Sequence, residues 1–306
     1  MPLLENYKEF LSEGFSRVTI DEIINKEFTD KQISLSILRL DKIHPYISGN
    51  KIFKLKYFLD PESVKVKKVI TFGGAYSNHL VATAYACKEL KIESIGIIRG
   101  EEPTVLSHSL KMCLKAGMQL KFISRKDYDN KNENSFVQKL KYEYSDFVLI
   151  PEGGFDPLGM EGAAEIKSFF GDDFTHIVCA IGTATTIAGL ISSSTGEQVI
   201  GINVTKDDAT KRLNFLLKED SLTNYLIFTQ YNFGGYAKAN RHLYDFMNDL
   251  FNKYNIPTDF VYTAKMMFGV FDLIRKDHFK PGSKILCIHT GGLQGNLSLP
   301  ENVLNF

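Results

Sequence analysis

The sequence predicts an α/β protein with two mainly parallel β-sheets, each flanked by helices. The first observation is that short β-rich runs alternate with longer helical patterns along the chain. The second is that this alternation forms two separate series, each typical of a parallel sheet with helices on its faces. The third is that glycine-rich loops (GGAYSN, GTATT and TGG) follow three of the predicted strands. Ligands in such folds bind at the carboxyl ends of strands, so we expect the functional site at these loops.

The first series occupies residues 67–154. Runs such as KKVITF are rich in β-branched and aromatic residues, and each is followed by a helical pattern, one of which ends at Gly117. We therefore predict strand 67–72, helix 77–90, strand 94–100, helix 107–117, strand 119–124, helix 135–144, and a strand that begins at residue 147 and runs into the loop PEGG.

The second series repeats the same rhythm in the remaining part of the chain. It predicts strand 175–181, helix 185–194, strand 199–204, a further strand at 226–230, helices 239–255 and 266–277, and a final strand 284–290. No internal repeat, low-complexity tract or Pro/Gly-rich linker separates the two series. We therefore expect two domains that interleave along the chain.

The composition favours a cytoplasmic protein that binds a small molecule. Its 306 residues include 36 basic and 36 acidic side chains, so no overall field attracts nucleic acid or a membrane surface. The first ten residues, MPLLENYKEF, lack the features of an export signal, and no segment has the length of a membrane span. The four cysteines are scattered and without metal-binding spacing, which predicts reduced cysteines and no metal site.

Two loops at predicted strand ends are candidate anion sites. IGTATTIAGL (181–190) joins a strand to a helix start, where backbone N–H groups and threonine hydroxyls can bind a phosphate. GGAYSNH (73–79) places Ser77 and Asn78 at another helix start, where they suit a carboxylate. Helix capping is the structural alternative in both loops, by Thr183 or Thr185 in the first and by Ser77 or Asn78 in the second.

The set of motifs is more specific than any one of them. S-G-N-K-x-x-K-L at 48–55, G-x-x-S-N-H at 74–79, the threonine-rich loop, V-Y-T-x-K at 261–265 and H-T-G-G at 289–292 occur in this order. The chain thereby resembles the pyridoxal-phosphate (PLP) enzymes of fold type II, the tryptophan synthase β family. Within this family it is similar to the branch that holds 1-aminocyclopropane-1-carboxylate (ACC) deaminase and D-cysteine desulfhydrase.

The resemblance implies a domain organisation and an assembly. Residues 1–52 and 161–306 are expected to form a large PLP-binding domain, and residues 53–160 a small inserted α/β domain. The cofactor is expected in the cleft between them, and the family is usually dimeric, so a homodimer is expected.

The resemblance also implies roles for individual residues. Lys51 matches the lysine that bonds covalently to the cofactor aldehyde, and Lys54 is then left as an ordinary surface cation. Asn50 and Asn78 match groups near the phenolic oxygen, and Tyr236 and Tyr262 match the two active-site tyrosines. The other matches are Ser77, Asn78 and His79 to the loop that holds the substrate carboxylate, Gly182, Thr183, Ala184, Thr185 and Thr186 to the phosphate loop, and Thr263, Thr290 and Gly291 to groups at the cofactor ring.

Three positions bear on the reaction and one on the phosphate loop. The deaminases carry Glu after the second tyrosine, Leu before the late Gly-Gly and usually Gln at position 79, whereas this chain has Thr263, Thr290 and His79. A hydroxyl leaves the ring nitrogen neutral and makes a weaker electron sink, which favours loss of a β-substituent over opening of a cyclopropane. The family commonly has glycine where this chain has Thr185, which puts the geometry of the phosphate loop in question.

The resulting prediction is a lyase that releases pyruvate, ammonia and sulfide from D-cysteine or a similar small β-substituted D-amino acid. Lys51 would act as the general base, and Ser77, Tyr236 and Tyr262 would take part in the chemistry. Three alternatives remain open from the sequence. They are ACC deaminase activity, a dehydratase or racemase activity on D-serine, and a non-catalytic α/β protein that binds a phosphate or metabolite.

Overall fold

The structure is a computed structural model that describes residues 12–60, 67–218 and 224–306. Residues 1–10, for which the sequence predicts no export signal, lie outside the described residues. Within the described ranges, no helix is long and apolar enough to cross a membrane. The same ranges contain no group of three or more His, Cys, Asp or Glu side chains that could hold a metal ion.

The larger sheet has six strands in the order β1-β2-β10-β7-β8-β9. β1 pairs with β2 in antiparallel orientation, and all the other neighbouring pairs are parallel. The strands are β1 (Ile20–Glu22), β2 (Ser34–Arg39), β7 (His176–Ile181), β8 (Gln198–Asn203), β9 (Tyr225–Phe228) and β10 (Lys284–His289).

The smaller sheet has four strands in the order β5-β4-β3-β6, and all of them are parallel. The strands are β3 (Lys68–Gly73), β4 (Glu93–Arg99), β5 (Gln119–Ile123) and β6 (Phe147–Ile150). The prediction of two mainly parallel sheets is therefore confirmed, with β1 as the one antiparallel strand of the described sheets.

Helices pack on the faces of both sheets. They are α1 (Lys26–Asp30), α2 (Asn50–Lys56), α3 (Asn78–Glu89), α4 (His108–Lys115), α5 (Arg125–Asp129), α6 (Asn134–Glu143), α7 (Pro157–Ala164), α8 (Thr185–Ser193), α9 (Ala209–Leu217), α10 (Arg241–Tyr254) and α11 (Thr263–Arg275). Short 3₁₀ segments add Leu40–Lys42, Glu152–Gly154, Glu165–Phe169 and Leu293–Ser298.

β1 and β2 are not predicted from the sequence, because the apolar pattern of both strands is weak. β1 has three residues, two of them exposed, so it carries no apolar run. β2 carries serines at positions 34 and 36, which interrupt its apolar residues. All four cysteines are free and buried, as predicted for the three that lie inside apolar runs.

Candidate active site

A cavity of about 860 Å³ lies where the two sheets direct their carboxyl ends toward each other. Residues that follow β3, β5 and β6, with the last residue of β4, line it from the smaller sheet, and residues that follow β7, β8 and β10 line it from the larger one. The volume falls within the range of small-molecule and cofactor sites. The loops that the sequence singled out thus meet at one place.

Lys51 lies in the first turn of α2 and lines this cavity. The helix starts after Gly49, whose φ of 64° favours glycine and whose missing Cβ would lie 2.0 Å from the Thr290 carbonyl oxygen. The Ser-Gly-Asn turn therefore lets the chain pass directly against the loop that follows β10. This close backbone contact fixes the start of α2, and with it Lys51, against the larger sheet.

The Lys51 amine is poised to lose its proton near neutral pH. Its Nζ donates to Asn50 Oδ1 at 2.6 Å, and Asn50 Nδ2 donates to Thr186 Oγ1 at 2.6 Å. Burial lowers the pKa of Lys51 to about 8, and the negative charge of Asp259 opposes part of this shift. A neutral amine is a nucleophile and a base, so this environment supplies both kinds of chemistry.

The loop 182–186 leads from β7 into α8 with an open helix N-terminus. Ala184, the residue before α8, has φ 68° and no side chain that caps the helix. Gly182, Thr183, Ala184 and Thr186 all line the cavity. Uncapped N–H groups at the positive end of a nine-residue helix are suited to an anion such as a phosphate.

Lys54 lies beside this loop in the cavity wall, so its prediction as an ordinary surface cation is wrong. It lies one turn after Lys51 on α2, is 4% exposed and lines the cavity. Its Nζ donates to Thr183 Oγ1 at 3.2 Å. Burial, and the charge of Lys51, lower the pKa of Lys54 well below its usual value. A buried amine in such a place is suited to an anionic ligand that compensates its charge.

Thr185 does not distort the loop. It is the first residue of α8, is fully buried, and its hydroxyl lies 3.0 Å from Thr183 Oγ1 instead of lining the cavity. The left-handed conformation, which glycine adopts more easily, falls on Ala184. The predicted role of Thr185 therefore changes from a cavity contact to a support for the Thr183 hydroxyl.

Ser77 and Asn78 lie at the start of α3 and face the cavity from the smaller sheet. Ser77 Oγ accepts from the Leu80 N–H at 3.2 Å, so it caps the helix and keeps its own proton free to donate. Asn78 Oδ1 is buried and has no hydrogen-bond partner among the described residues. The capping alternative for Ser77 is therefore correct, and it coexists with a place in the cavity wall.

The two predicted tyrosines contact each other at the cavity. Their rings lie edge to face with centroids 6.0 Å apart. A Cβ on Gly182 would lie 2.8 Å from the ring of Tyr262, so this ring packs directly over the start of the 182–186 loop. Burial, and the neighbouring Tyr236, raise the pKa of Tyr262 well above its usual value, so its hydroxyl stays protonated.

Thr263 does not line the cavity, contrary to its predicted place at the cofactor ring. Its hydroxyl donates to Asp259 Oδ1 and accepts from the Asp259 N–H, both at 2.8 Å. The fully buried Asp259 carboxylate also accepts the N–H groups of Val261, Tyr262 and Thr263 at 2.9 Å. Thr263 and Asp259 thus build the turn that holds Tyr262.

The loop after β10 supplies one of its two predicted contacts. Thr290 lines the cavity. Gly291 does not, because it packs against the 48–49 turn, where a Cβ would lie 2.3 Å from Ser48 Oγ. Its φ of 72° and this close contact both favour glycine. Gly291 therefore positions the turn before Lys51 instead of meeting a ligand.

Three residues for which the sequence predicted no role also contribute to the site. Glu152 follows β6, lines the cavity and lies 3.3 Å from Lys131. The buried Lys265 donates to the carbonyls of Asn232 and Gly235 at 2.8 Å, which ties the loop of Tyr236 to the helix of Tyr262. Asp259 is the third. Lys265 belongs to the V-Y-T-x-K motif, whereas no local pattern marks Glu152 or Asp259.

Comparison with known proteins identifies the family. The family model described as pyridoxal-phosphate dependent enzyme matches residues 30–291. The chain belongs to this family. It is therefore a PLP-dependent enzyme, and the non-catalytic alternative is not retained.

Relatives and solved structures agree with this assignment. A putative ACC deaminase from Pyrococcus horikoshii is 32% identical over 278 residues, which cover 85% of this chain and 84% of the relative. The mitochondrial bifunctional D-cysteine desulfhydrase/ACC deaminase from Arabidopsis thaliana is 32% identical over 81% of this chain and 70% of its own length. A solved ACC deaminase homologue superposes with a TM-score of 0.77 at 29% identity, covering 92% of this chain and 90% of that one.

The side chains of the cavity fit PLP. A phosphate matches the open N-terminus of α8 together with the buried Lys54 amine and the Thr183 hydroxyl. An aldehyde matches the Lys51 amine, which loses its proton near pH 8. The buried Oδ1 of Asn78 has no hydrogen-bond partner among the described residues, so this amide still lacks a hydrogen bond that a bound ligand could supply.

Proposed function

We propose that this enzyme is a lyase that eliminates the β-substituent from small β-substituted D-amino acids, with D-cysteine as the type substrate. The balanced reaction takes D-cysteine and water to pyruvate, ammonia and hydrogen sulfide. The observation that carries the proposal is the lining of the cavity on the side of β10. Thr290 lines the cavity there, whereas the two carboxylate residues that line the cavity in the described ranges, Asp129 and Glu152, lie in segments that follow β5 and β6 of the smaller sheet.

This lining bears on which reaction is favoured. PLP supplies an electron sink for the electron pair at the substrate α-carbon. A carboxylate beside the ring nitrogen strengthens the sink, as the opening of a cyclopropane demands, and a hydroxyl leaves it weaker. Thr263 adds no charge at the cavity, and its partner Asp259 is already engaged by four hydrogen bonds. These features support elimination of a good leaving group such as thiolate.

Several predicted site residues have a role in this proposal. Lys51 removes the α-proton, because its amine is neutral in a substantial fraction of molecules near pH 8. Ser77 and Asn78 bind the substrate carboxylate through their hydroxyl and amide donors. Tyr262 and Tyr236 hold protons at the cavity wall. Lys54 and the α8 N-terminus hold the cofactor phosphate, with Asn50 keeping the Lys51 amine in place.

ACC deaminase activity is the second candidate. It is favoured by the names of the Pyrococcus and Arabidopsis relatives, which include this activity. Dehydration or racemisation of D-serine remains an alternative that uses the same residues. All of these reactions need the same lysine and the same phosphate site, so only the substrate and the products separate them.

The test is a product assay on purified protein loaded with PLP. We expect sulfide and pyruvate from D-cysteine at a higher kcat/KM than 2-oxobutanoate from ACC or pyruvate from D-serine. Turnover of ACC alone would show that the deaminase candidate is correct. Release of sulfide from L-cysteine but not from D-cysteine would contradict the proposed configuration of the substrate.

The role of Lys51 is tested separately from the substrate. Borohydride reduction of the loaded protein should fix the cofactor to Lys51, located by peptide mass spectrometry, and Lys51→Ala should abolish both labelling and turnover. Lys56→Ala is the matched control, because Lys56 lies on the same helix but pairs with Glu165 and does not line the cavity. Labelling of Lys54 or Lys265 in the wild-type protein would contradict the assignment.

The domain organisation, compartment and assembly belong to the same proposal. Residues 53–160 as a small domain and 1–52 with 161–306 as a large one are supported by the sheets, since β3–β6 fall in the first range and the other six strands in the second. Four free, buried cysteines support a reducing compartment such as the cytoplasm. A homodimer rests on the family resemblance, and light scattering during size exclusion tests it.

A further inference from the structure

His79 is the one predicted substrate contact whose hydrogen bonds leave no proton for a carboxylate. It lies in the first turn of α3, is 4% exposed, and lines the cavity beside Asn78. Its Nε2 lies 2.9 Å from the hydroxyl of Thr71, a fully buried residue of β3. The hydroxyl of Thr71 in turn donates to the Ile150 carbonyl oxygen at 2.8 Å.

These bonds determine which ring nitrogen carries the proton. A threonine hydroxyl has one proton, and Thr71 uses it on the carbonyl of Ile150. Thr71 can therefore only accept from His79, so Nε2 carries the ring proton and Nδ1 carries a lone pair. Nδ1 is buried and has no hydrogen-bond partner among the described residues.

The ring also stays neutral over the physiological pH range. Burial, and the charges of Lys54 and Lys51, lower the pKa of His79 to about 3. A neutral ring with a lone pair at Nδ1 accepts a hydrogen bond and cannot donate one from that atom. A carboxylate also offers only acceptors, so the predicted contact between the His79 ring and the substrate carboxylate is not favourable.

His79 Nδ1 needs a hydrogen-bond donor, and a small amino-acid substrate has few groups that can donate to it. This step rests on the proposed function. A small β-substituted amino acid has its carboxylate at Ser77 and Asn78 and commits its amino group to the cofactor. The hydrogen-bond donor that remains is the thiol or hydroxyl on the β-carbon. We propose that His79 Nδ1 accepts a hydrogen bond from this β-substituent and thereby selects substrates that carry a donor there.

The contact acts on binding and not on bond cleavage. When the Cβ–S bond breaks, its electron pair leaves with sulfur as HS⁻, and the proton stays on sulfur throughout. The S–H group becomes a weaker donor as negative charge builds on sulfur, so the contact is strongest before cleavage. Loss of the contact should therefore raise KM for D-cysteine while kcat is largely retained.

The kinetic test compares two substrates on the loaded enzyme. β-Chloro-D-alanine has the same amino and carboxylate groups as D-cysteine but no donor on its β-substituent. For His79→Leu we expect KM for D-cysteine to rise about 10-fold more than KM for β-chloro-D-alanine, the effect of one hydrogen bond. An equal rise for both substrates would mean that His79 binds the carboxylate. No rise for either would mean that it only supports the fold, and both results would overturn the proposal.

Thr71→Val is the companion variant, because it removes the acceptor that fixes the ring proton on Nε2. The ring can then move its proton to Nδ1, so the preference for D-cysteine over β-chloro-D-alanine should fall in this variant as well. An unchanged preference would contradict the role of Thr71. Thermal unfolding of both variants is measured in parallel to check that each is folded.

Nitrogen NMR of protein with labelled histidine tests the ring itself without any substrate. The His79 signal is identified by its absence from the spectrum of His79→Leu. We expect a proton on Nε2 and none on Nδ1 between about pH 5 and 8. A protonated Nδ1 would overturn the proposal whatever the enzyme acts on. If the spectra agree but the wild-type enzyme turns over neither substrate, the proposed function has failed, and the binding role of His79 fails with it.

Discussion

Two loops of similar composition, residues 73–79 and 181–186, present the cavity with different chemistry. Both leave a parallel strand through glycine and enter a helix with hydroxyl side chains. In the first loop Ser77 caps α3 by accepting from the Leu80 N–H. In the second, no side chain caps α8. A side-chain cap occupies a backbone N–H group of the helix start, so a ligand there is bound mainly by side chains. An uncapped helix start has its backbone N–H groups free for the ligand.

The two loops also differ in charge, because basic side chains contact the second loop and the first loop presents neutral ones. Lys54 extends from α2 to Thr183 in the second loop, and Arg212 donates to the carbonyl of Gly182 at 2.9 Å. In the first loop, the neutral groups Ser77, Asn78 and His79 face the cavity. This difference suits a doubly charged phosphate that stays bound and a substrate that must enter and leave at each turnover.

The largest expected effect concerns Lys51, which lines the cavity together with both loops. Because burial lowers its pKa from 10.5 to about 8, its neutral fraction at pH 7 exceeds that of an ordinary lysine by about 300-fold. The rate at which PLP reacts with the apoprotein should therefore rise with pH and level off above about pH 8. Stopped-flow absorbance at several pH values measures this midpoint.

Asp259→Asn tests the electrostatic part of the Lys51 pKa in the same measurement. The negative charge of Asp259 favours the ammonium form of Lys51, so its removal should move the midpoint to lower pH. A rate that keeps rising through pH 10.5, the ordinary value for lysine, would show that Lys51 is not desolvated. A shift to higher pH in Asp259→Asn would contradict the assigned sign of the interaction.

Lys54→Met tests whether the basic side chain at the 181–186 loop contributes to cofactor binding. Loss of a charge-assisted contact should weaken PLP affinity about 100-fold. The apoprotein should instead become more stable, because its fold no longer buries an amine whose charged form is disfavoured. Cofactor titration and thermal unfolding of the apoprotein measure the two effects. Lys56→Met, outside the cavity lining, is the control, and equal losses of affinity in both variants would rule out the role of Lys54.

Ser77→Ala acts on the capped loop. It should raise KM for the substrate about 10-fold by removing a donor to the carboxylate, with little change in PLP affinity. Loss of the helix cap should also cost about 1 kcal/mol of unfolding free energy. Ser124→Ala is a matched control, since Ser124 caps α5 by accepting from the Asp127 N–H at 3.1 Å and lies outside the cavity lining. A similar rise in KM in both variants would assign the effect of Ser77 to capping.

The sequence predicts the larger part of the fold because most strands are continuous apolar runs followed by glycine-rich turns. Lys51, Ser77 and residues of the 182–186 loop line the cavity, and their short local motifs are what carried the family resemblance. Lys54 could not be recognised in this way, because its partner Thr183 is 129 residues away. Thr263 was placed at the ring by resemblance, but a turn built around Asp259 directs its hydroxyl elsewhere. Roles set by contacts between distant segments need the folded chain.

The smallest expected effect tests the backbone of the uncapped loop. Ala184 has φ 68°, where an alanine costs about 1 kcal/mol relative to glycine. Ala184→Gly should therefore raise the free energy of unfolding by up to about 1 kcal/mol, and PLP affinity should be retained because the backbone keeps its shape. Ala188→Gly, in the interior of the same helix, should lower stability instead. Denaturant unfolding of both variants measures the difference. If Ala184→Gly is destabilising, the left-handed turn is not the conformation that opens this helix start to a phosphate.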